Sequence, residues 1–553
     1  MNKAYHFLMI YPQFEPSYWG LQYALPIIRR KSLMPPLGLI TIAAMTPAAY
    51  EVRLVDLNTQ PLRDDDIQWA DVALFSAMLV QKDALMPAAA QCRQAGKLVV
   101  FGGPYPTACP DECRPHCDVL VLNEGEITWP LFLKDLESGE VQPIYSSAAK
   151  PDITQSPTPR FELLHVDDYV SMPIQFSRGC PYNCEFCDIT VLFGRRHRTK
   201  TPAQLLRELD ALLETGYRGQ VFIVDDNFIG NKAKVMELLP ELRRWNREHD
   251  HPFAYGTEAT VNLADDPILM ARMVEAGFVF VFLGIETPSL ESLRETGKYQ
   301  NLKGSLLDRV LGVQQAGLLV YGGFIVGFDH DSPDIFDRQI EFITAASIAN
   351  AMVGPLMALP GTLLFERMKR EGRLLGSSEY GNWYESGQTN IVSVMTRGEL
   401  LDGLGRIVNF IYEPSRYFDR VLRSFQLLPR QRSYRGRWSQ FRRFAKHYGR
   451  RRTSDSPGQR PSLRAAFRFF IDLYRGLPSE FRKPLVRFLR EVMRTCPEQL
   501  PQSLPFLCMG YHYFRYTAEY VVPKSDEARG RLGVPNEVGF PPADVRCNTP
   551  LRP

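Results

Sequence analysis

The chain has 553 residues, 45% of them hydrophobic and 23% charged, with a net charge of +3. That is a globular composition, long enough for about three domains. No apolar run approaches the roughly 20 residues needed to span a bilayer, and ten cysteines are too sparse for a disulfide scaffold, so their clustering suits metal chemistry in a reducing compartment. The N-terminus, MNKAYHFLMIYPQF, lacks a long apolar core and a small-residue cleavage site. It reads as a first strand, and the expected location is the cytoplasm.

Residues 1–145 alternate apolar runs with helical stretches. The runs are HFLMIY (6–11), VRLVDLN (52–58), DVALFSA (71–77), KLVVFGG (97–103) and DVLVLNEGE (118–126). Helical patterns such as PPLGLITIAAM and ALMPAAAQCRQAG lie between them, which predicts a doubly wound, Rossmann-like parallel sheet. Ligands of such sheets sit at the carboxyl ends of the strands. The loops there carry Asn58, Ser76, Gly102, Gly103, Tyr105 and Glu124.

A proline-rich stretch around 146–160 opens a linker that runs to 171. From 172 to 375 the alternation resumes with PIQFSRGC, QVFIVDDNF, FAYGTEAT, FVFVFLGIET, LVYGGFIVGFD and NAMVGPLMALPGT, separated by helices such as TPAQLLRELDALLETG. Six strand–helix units predict a partial (β/α)6 barrel with its chemistry at the strand C-termini. Residues 376–553 read as a mainly helical, Arg-rich extension; RTSDSPGQRPS (452–462) is its expected flexible break.

Cys180, Cys184 and Cys187 follow the first barrel strand with the spacing CxxxCxxC. A loop with these intervals can hold three irons of a cubane by one thiolate each and leave the fourth open for a substrate or cosubstrate. A structural zinc is the alternative, with His197 the one nearby candidate for a fourth ligand. Cys109, Cys113 and Cys117 form a second triplet, but its CxxxCxxxC spacing is interrupted by Pro110 and Pro115. There cysteine reads as a small apolar residue, as do Cys92, Cys496, Cys508 and Cys547.

With these residues in view, the chain resembles the radical S-adenosylmethionine enzymes. The resemblance implies a 4Fe-4S cluster on the three cysteines, S-adenosylmethionine chelating the open iron, and reductive cleavage to a 5′-deoxyadenosyl radical, so that the triad serves the catalysis directly. It places Phe186 over the adenine, Asp225, Asp226 and Asn227 where the methionine amine is received, and Glu286 at the ribose. Glu258 is a second strand-end carboxylate whose burial demands a partner, and Gly327 lies in a glycine-rich strand, GGFIVGFD, whose backbone approaches the adenine. An Asx turn capping the next helix is the bland alternative for the Asp225–Asn227 run.

Through YPQF, PPLGL, VDLN, GGPYPT and NEGE, the first domain is similar to the cobalamin-binding domain of a large subgroup of these enzymes. Asn58, Ser76, Gly102, Gly103 and Glu124 are then expected to face the corrin, and Tyr105 stands where many relatives have histidine. No DxHxxG motif supplies a lower cobalt ligand. RGCPYNCEFCDITVLFGRRHRTK, GGFIVGFDHDSPDIF and GYHYFRYT further resemble the branch with a C-terminal extension that includes the hopanoid C-2 methylases. The implied activity is cobalamin-dependent methylation of an unactivated carbon of a hydrophobic substrate, a hopanoid-like lipid being the expected one. A reducing partner such as flavodoxin or ferredoxin is implied.

Two rival readings remain at this level: a radical enzyme with a vestigial cobalamin domain that cyclises, couples or rearranges its substrate, and a membrane- or RNA-associated binding protein with a structural cluster. Residues 414–453 hold thirteen Lys or Arg against Asp419 alone. SQFRRFAKHYGRRR and SLRAAFRFFIDLYRGLPSEFRKPLVRFLREVMR interleave arginine with apolar residues, as do helices packed on a core or lying at the inner membrane face. Nucleic acid is the least favoured partner.

Overall fold

The computed structural model describes residues 4–375, 389–430, 474–524 and 526–527. The expected break at 452–462, the SQFRRFAKHYGRRR segment, the SLRAAFRFF run and Cys547 lie outside the described residues.

The first sheet contains β1 (His6–Tyr11), β2 (Glu51–Asp56), β3 (Val72–Ser76), β4 (Leu98–Gly102), β5 (Val119–Val121) and β6 (Ile144–Tyr145). Its order is β2-β1-β3-β4-β5-β6, all parallel. Helices cover both faces, so neighbouring residues of one strand enter different cores: Leu8 and Ile10 pack with Phe75 and Phe101, Phe7 and Met9 with Leu74 and Val100. This is why β1 reads as an unbroken apolar run. The order reverses between β1 and β3, which sets a ligand crevice at their carboxyl ends.

The second sheet contains β7 (Ser171–Ile174), β10 (Gly219–Ile223), β11 (Phe253–Ala259), β12 (Phe278–Glu286), β13 (Leu319–Val326) and β14 (Asn350–Pro355). These six strands pair in chain order and in parallel, as a partial barrel requires. Alternate residues divide between its faces. Met172, Val221, Ile223, Val281 and Leu283 pack under the outer helices; Pro173, Phe222, Phe282 and Tyr321 line the concave side. The helix Pro202–Glu214 begins with proline at its first position and a Thr201/Gln204 capping box, which fixes where the first crossover starts.

One strand differs from the sequence expectation. PIQFSRGC is not continuous: β7 stops at Ile174, and Ser177–Arg178 (β8) pairs antiparallel with Arg198–Thr199 (β9). The Asp225 carboxylate causes the break, accepting from Phe176 N at 2.8 Å and Ser177 Oγ at 2.5 Å.

The extension is helical: Arg397–Ile411, Pro414–Leu427, Ser479–Thr495 and Leu500–Tyr516. Ser479–Thr495 turns Phe481, Leu485, Phe488 and Val492 inward, and Phe418 meets Phe488 and Phe481 at 4.9 and 5.1 Å. The apolar stripe of this arginine-rich helix is therefore packed on protein. Buried Arg420 donates to the carbonyls of Ile348 (2.9 Å) and Ile411, joining the extension to the start of β14. Among the described residues no helix is long and apolar enough to cross a membrane.

Candidate active site

Cys180, Cys184 and Cys187 lie on the loop leaving β8 and are partly exposed, whereas Cys92, Cys109, Cys113, Cys117, Cys496 and Cys508 are buried. The loop begins at Gly179, whose φ is +87°. A Cβ there would come within 2.8 Å of the carbonyl oxygens of Gly194 and Arg196, so only glycine fits. Further along, Glu185 N donates to Thr296 O at 2.9 Å, and Arg367 clasps the Glu185 carboxylate through Nε at 2.6 Å and Nη2 at 3.1 Å.

Two side-chain amides aim at sulfur: Asn227 Nδ2 lies 3.8 Å from Cys180 Sγ and Gln300 Nε2 3.6 Å from Cys184 Sγ. Burial raises the Cys180 and Cys187 thiols above their ordinary range, a cost that a bound metal removes by taking the place of the proton. His197 does not join them. Its Nε2 meets Asn227 O at 3.0 Å and its ring packs over Gly230. Among the described residues no three His, Cys, Asp or Glu groups are placed to hold a single metal ion. Three thiolates serving three separate irons need no such convergence.

The strand-end acids divide by direction. Asp225 points into protein, holding the chain between β7 and β8, and burial raises its pKa to about 6 against the hydrogen bonds it accepts. Asp226 accepts from Gly179 N at 2.9 Å, and burial raises it to about 7. Asn227 Oδ1 receives Thr260 N at 3.3 Å. Glu258 has no hydrogen-bond partner among the described residues; burial, reinforced by Asp226 and Asp225, raises it to about 8.

Glu286, in a left-handed conformation (φ +66°) at the end of β12, forms a buried ion pair with Lys298. Burial alone would lower the Lys298 ammonium, but the Glu286 carboxylate holds it above its ordinary value. Lys298 Nζ lies 5.8 Å from the centroid of the Phe186 ring. That ring packs beside Ile325, Phe328 and Leu356 at the ends of β13 and β14. Gly327 N donates to Asp331 Oδ2 at 2.9 Å.

Asn58, Ser76, Gly102, Gly103 and Glu124 line a cavity of about 1650 Å³ together with Asp226 and Glu258. Ends of both sheets thus face one chamber. The three cysteines, Phe186, Asp225, Asn227, Glu286 and Gly327 are not part of that lining. Tyr105 is turned away from it: 2% exposed, it lies in the core beside Cys109, Cys113 and Cys117, with its hydroxyl donating to Glu112 at 3.0 Å. Glu124 reaches the chamber wall, but its carboxylate is taken by Arg178 (2.9 Å) and Arg198 (2.8 Å).

Residues 24–133 match the B12 binding domain, 174–343 the radical SAM superfamily and 362–525 DUF4070, a domain of unknown function. An uncharacterised methyltransferase of Synechocystis sp. is 47% identical over 76% of this chain and 78% of its own. The hopanoid C-2 methylase of Rhodopseudomonas palustris is 37% identical over 66% of this chain and 71% of its own. The chain belongs to the cobalamin-dependent radical S-adenosylmethionine methyltransferases. Its fold is that of the cobalamin-dependent radical enzyme OxsB, with TM-score 0.56 at 14% identity over 94% of this chain and 84% of the other.

The residues present fit the cofactors of such a methyltransferase. The partly exposed thiol triad with its two amide donors suits a 4Fe-4S cluster, since hydrogen bonds to the sulfurs tune its reduction potential. On the corrin side, Gly103 has φ +92° and a Cβ there would meet Ser76 Oγ at 2.6 Å, so backbone alone forms the cradle. Asn58, Thr107 and Asn123 add polar groups to that wall. No histidine is among the described residues lining the chamber, in keeping with the missing DxHxxG motif.

Sequence reasoning missed four residues of this radical methyltransferase. Lys298 and Gln300 follow the short helix Leu290–Glu295 after β12, and Arg367 lies on the helix Leu363–Arg370 after the last barrel strand; none carries a motif. Arg178 is the fourth. It joins Glu124 to Glu126 (2.8 Å) and ties the cobalamin-type domain to the strand entering the cysteine loop. Burial would raise Glu126, but the Arg178 guanidinium overrides it and holds the carboxyl at about 2.

Proposed function

We propose that this methyltransferase acts on an unactivated carbon of a hopanoid-like polycyclic lipid, held in the chamber between the two sheets. The observation that carries this reading is the single cavity whose walls come from both the cobalamin-type crevice and the concave barrel face. The 37% identical hopanoid C-2 methylase supports the lipid class.

In this reading Cys180, Cys184 and Cys187 would hold the cluster, with Asn227 and Gln300 donating to the sulfurs of Cys180 and Cys184. Asp226 receives the methionine amine, while Asp225 positions the loop from behind. Phe186 and the Glu286–Lys298 pair wall the adenosyl end, with Gly327 beside them. Asn58, Ser76, Gly102 and Gly103 bear on the corrin. When bound, the cluster with S-adenosylmethionine supplies the hydrogen-abstracting radical and the corrin supplies the methyl group. Glu258, protonated near neutral pH, stands in the chamber as a neutral hydrogen-bond donor that costs less to bury than a carboxylate.

The electron this chemistry needs would come from a one-electron donor such as flavodoxin or ferredoxin. The exposed Lys483, Arg487 and Arg490 on Ser479–Thr495 form the face through which we place peripheral contact with anionic lipid. Mass profiles of lipids from cells with and without the protein test the reading. Gain of one methylene on a polycyclic lipid is expected; an unchanged lipid profile with that gain on a pigment or peptide would overturn it.

A further inference from the structure

The chamber does not stop at the cofactor side. Its lining runs down the concave barrel face from Asp226 and Glu258, at the strand C-termini, to Gln220, Ala254, Val279 and Leu319 at the strand starts. From Gln220 to Asp226 the bore is about 20 Å long at the strand rise of ~3.3 Å per residue. Its middle is aromatic and apolar: Phe222, Phe282, Tyr321 and Met352. Trp19 enters the bore at this level, its ring 5.7 Å from Phe282 and its Nε1 donating to Met352 Sδ at 3.1 Å. The whole cavity exceeds the roughly 300–1,000 Å³ of a pocket for one drug-sized ligand, so it has room for an apolar molecule below the corrin.

At the strand starts the bore meets the helix Leu500–Tyr516, which contributes Leu504, Phe506 and Met509 to the lining. This helix is fixed to the barrel. Phe506 lies edge-on to Tyr321 at 6.3 Å, and its carbonyl accepts from Tyr417 Oη at 2.8 Å. Asn350 Nδ2, at the first residue of β14, is 3.4 Å from Met509 Sδ. Tyr513 stacks on Tyr18 at 4.4 Å, and Tyr18 accepts from Tyr412 Oη at 2.7 Å.

We propose that the helix Leu500–Tyr516, within the region matched only as a domain of unknown function, is the end wall of the substrate site. Phe506 and Met509 set the length of a rigid, fused-ring apolar molecule that lies along the bore with its reacting end toward Glu258. This rests on the proposed lipid reading. It gives the extension a function: a barrel open at its strand starts would leave an aromatic bore in water, and a wall built on phenylalanine and a flexible methionine packs against ring edges without demanding hydrogen bonds.

The test is equilibrium binding of dehydroergosterol, a fluorescent four-ring sterol, to the anaerobically reconstituted holoenzyme, read by the anisotropy of the sterol. Met509→Trp shortens the bore and is expected to weaken binding at least tenfold, while Phe506→Leu, which retains apolar packing, binds at least as well as the parent. Unchanged corrin absorbance reports that both variants are folded. Equal affinity in the parent and Met509→Trp, or no binding by the parent, would overturn the proposal. Sterol binding that falls in Met509→Trp in an enzyme that methylates no lipid would instead refute the lipid-methylation reading and leave the end wall standing.

Discussion

Arg367 holds Glu185, the residue after the second cysteine of the triad, in a two-pronged ion pair of 2.6 and 3.1 Å, and reaches Asp329 at 2.9 Å with the same guanidinium. It comes from outside the six strands yet determines where the cysteine loop sits. Arg367→Ala is expected to cost roughly 1.5–3 kcal/mol for the charged hydrogen bonds removed and to lower iron content after anaerobic reconstitution. Arg367→Lys should recover the charge but not the two-pronged geometry, giving intermediate iron content.

Gly179→Ala places a Cβ 2.8 Å from two carbonyl oxygens at a left-handed residue. The cysteine loop cannot take its shape, so cluster incorporation should fall to background while far-UV circular dichroism stays near that of the parent. Iron and sulfide assays alongside the spectrum check this. Normal iron content in the variant would contradict the role given to the loop.

Arg178 serves two buried carboxylates, Glu124 and Glu126, at once. Arg178→Ala leaves both without this partner and should destabilise the protein by about 3–5 kcal/mol. Because Glu126 is held at about 2, below its ordinary 4.5, the stability it contributes is fully present above pH ~4.5 and is lost as pH falls through about 2. Urea unfolding between pH 5 and pH 3 should therefore show a steeper acid loss in the parent than in Glu126→Gln.

Glu258 has the opposite sign. Its carboxyl is raised from 4.5 to about 8, so the stability tied to its neutral form is present below pH ~4.5 and is lost as pH rises through about 8. Glu258→Gln removes that loss. The melting temperature of the apo variant, compared with the parent, should gain with pH between 5 and 8 and level off above. A difference that stays constant over this range would show that Glu258 is not buried alone.

HFLMIY was legible because a parallel strand covered on both faces must be apolar throughout, and FVFVFLGIE because Val281 and Leu283 enter the outer core while Phe280 and Phe282 line an apolar chamber. The thiol triad was legible from its spacing. The side chains around it were harder to read. Of Asp225, Asp226 and Asn227, consecutive residues at a strand end point to different sides, so one acid serves the β7–β8 bend and the next faces the chamber; sequence alone could not divide them. Tyr105 is the second residue of the short helix Pro104–Ala108, whose rotation sends it into the core instead of toward the corrin loops. Lys298, Gln300 and Arg367 meet the cysteine loop only through the folding of the chain, and the stretch Leu500–Tyr516, with no Lys, Arg, Asp or Glu before Arg515, is buried around most of its circumference and carries no sign in its sequence of the barrel start it packs against.

The most direct test is product analysis of the anaerobically reconstituted enzyme given S-adenosylmethionine, a one-electron reductant, cobalamin and a polycyclic lipid extract. 5′-Deoxyadenosine and S-adenosylhomocysteine are expected in equal amounts, matched by lipid bearing one added methylene, with 5′-deoxyadenosine formation abolished by Cys184→Ala. S-Adenosylhomocysteine and methylated lipid without 5′-deoxyadenosine, or product formation undiminished in Cys184→Ala, would contradict this mechanism.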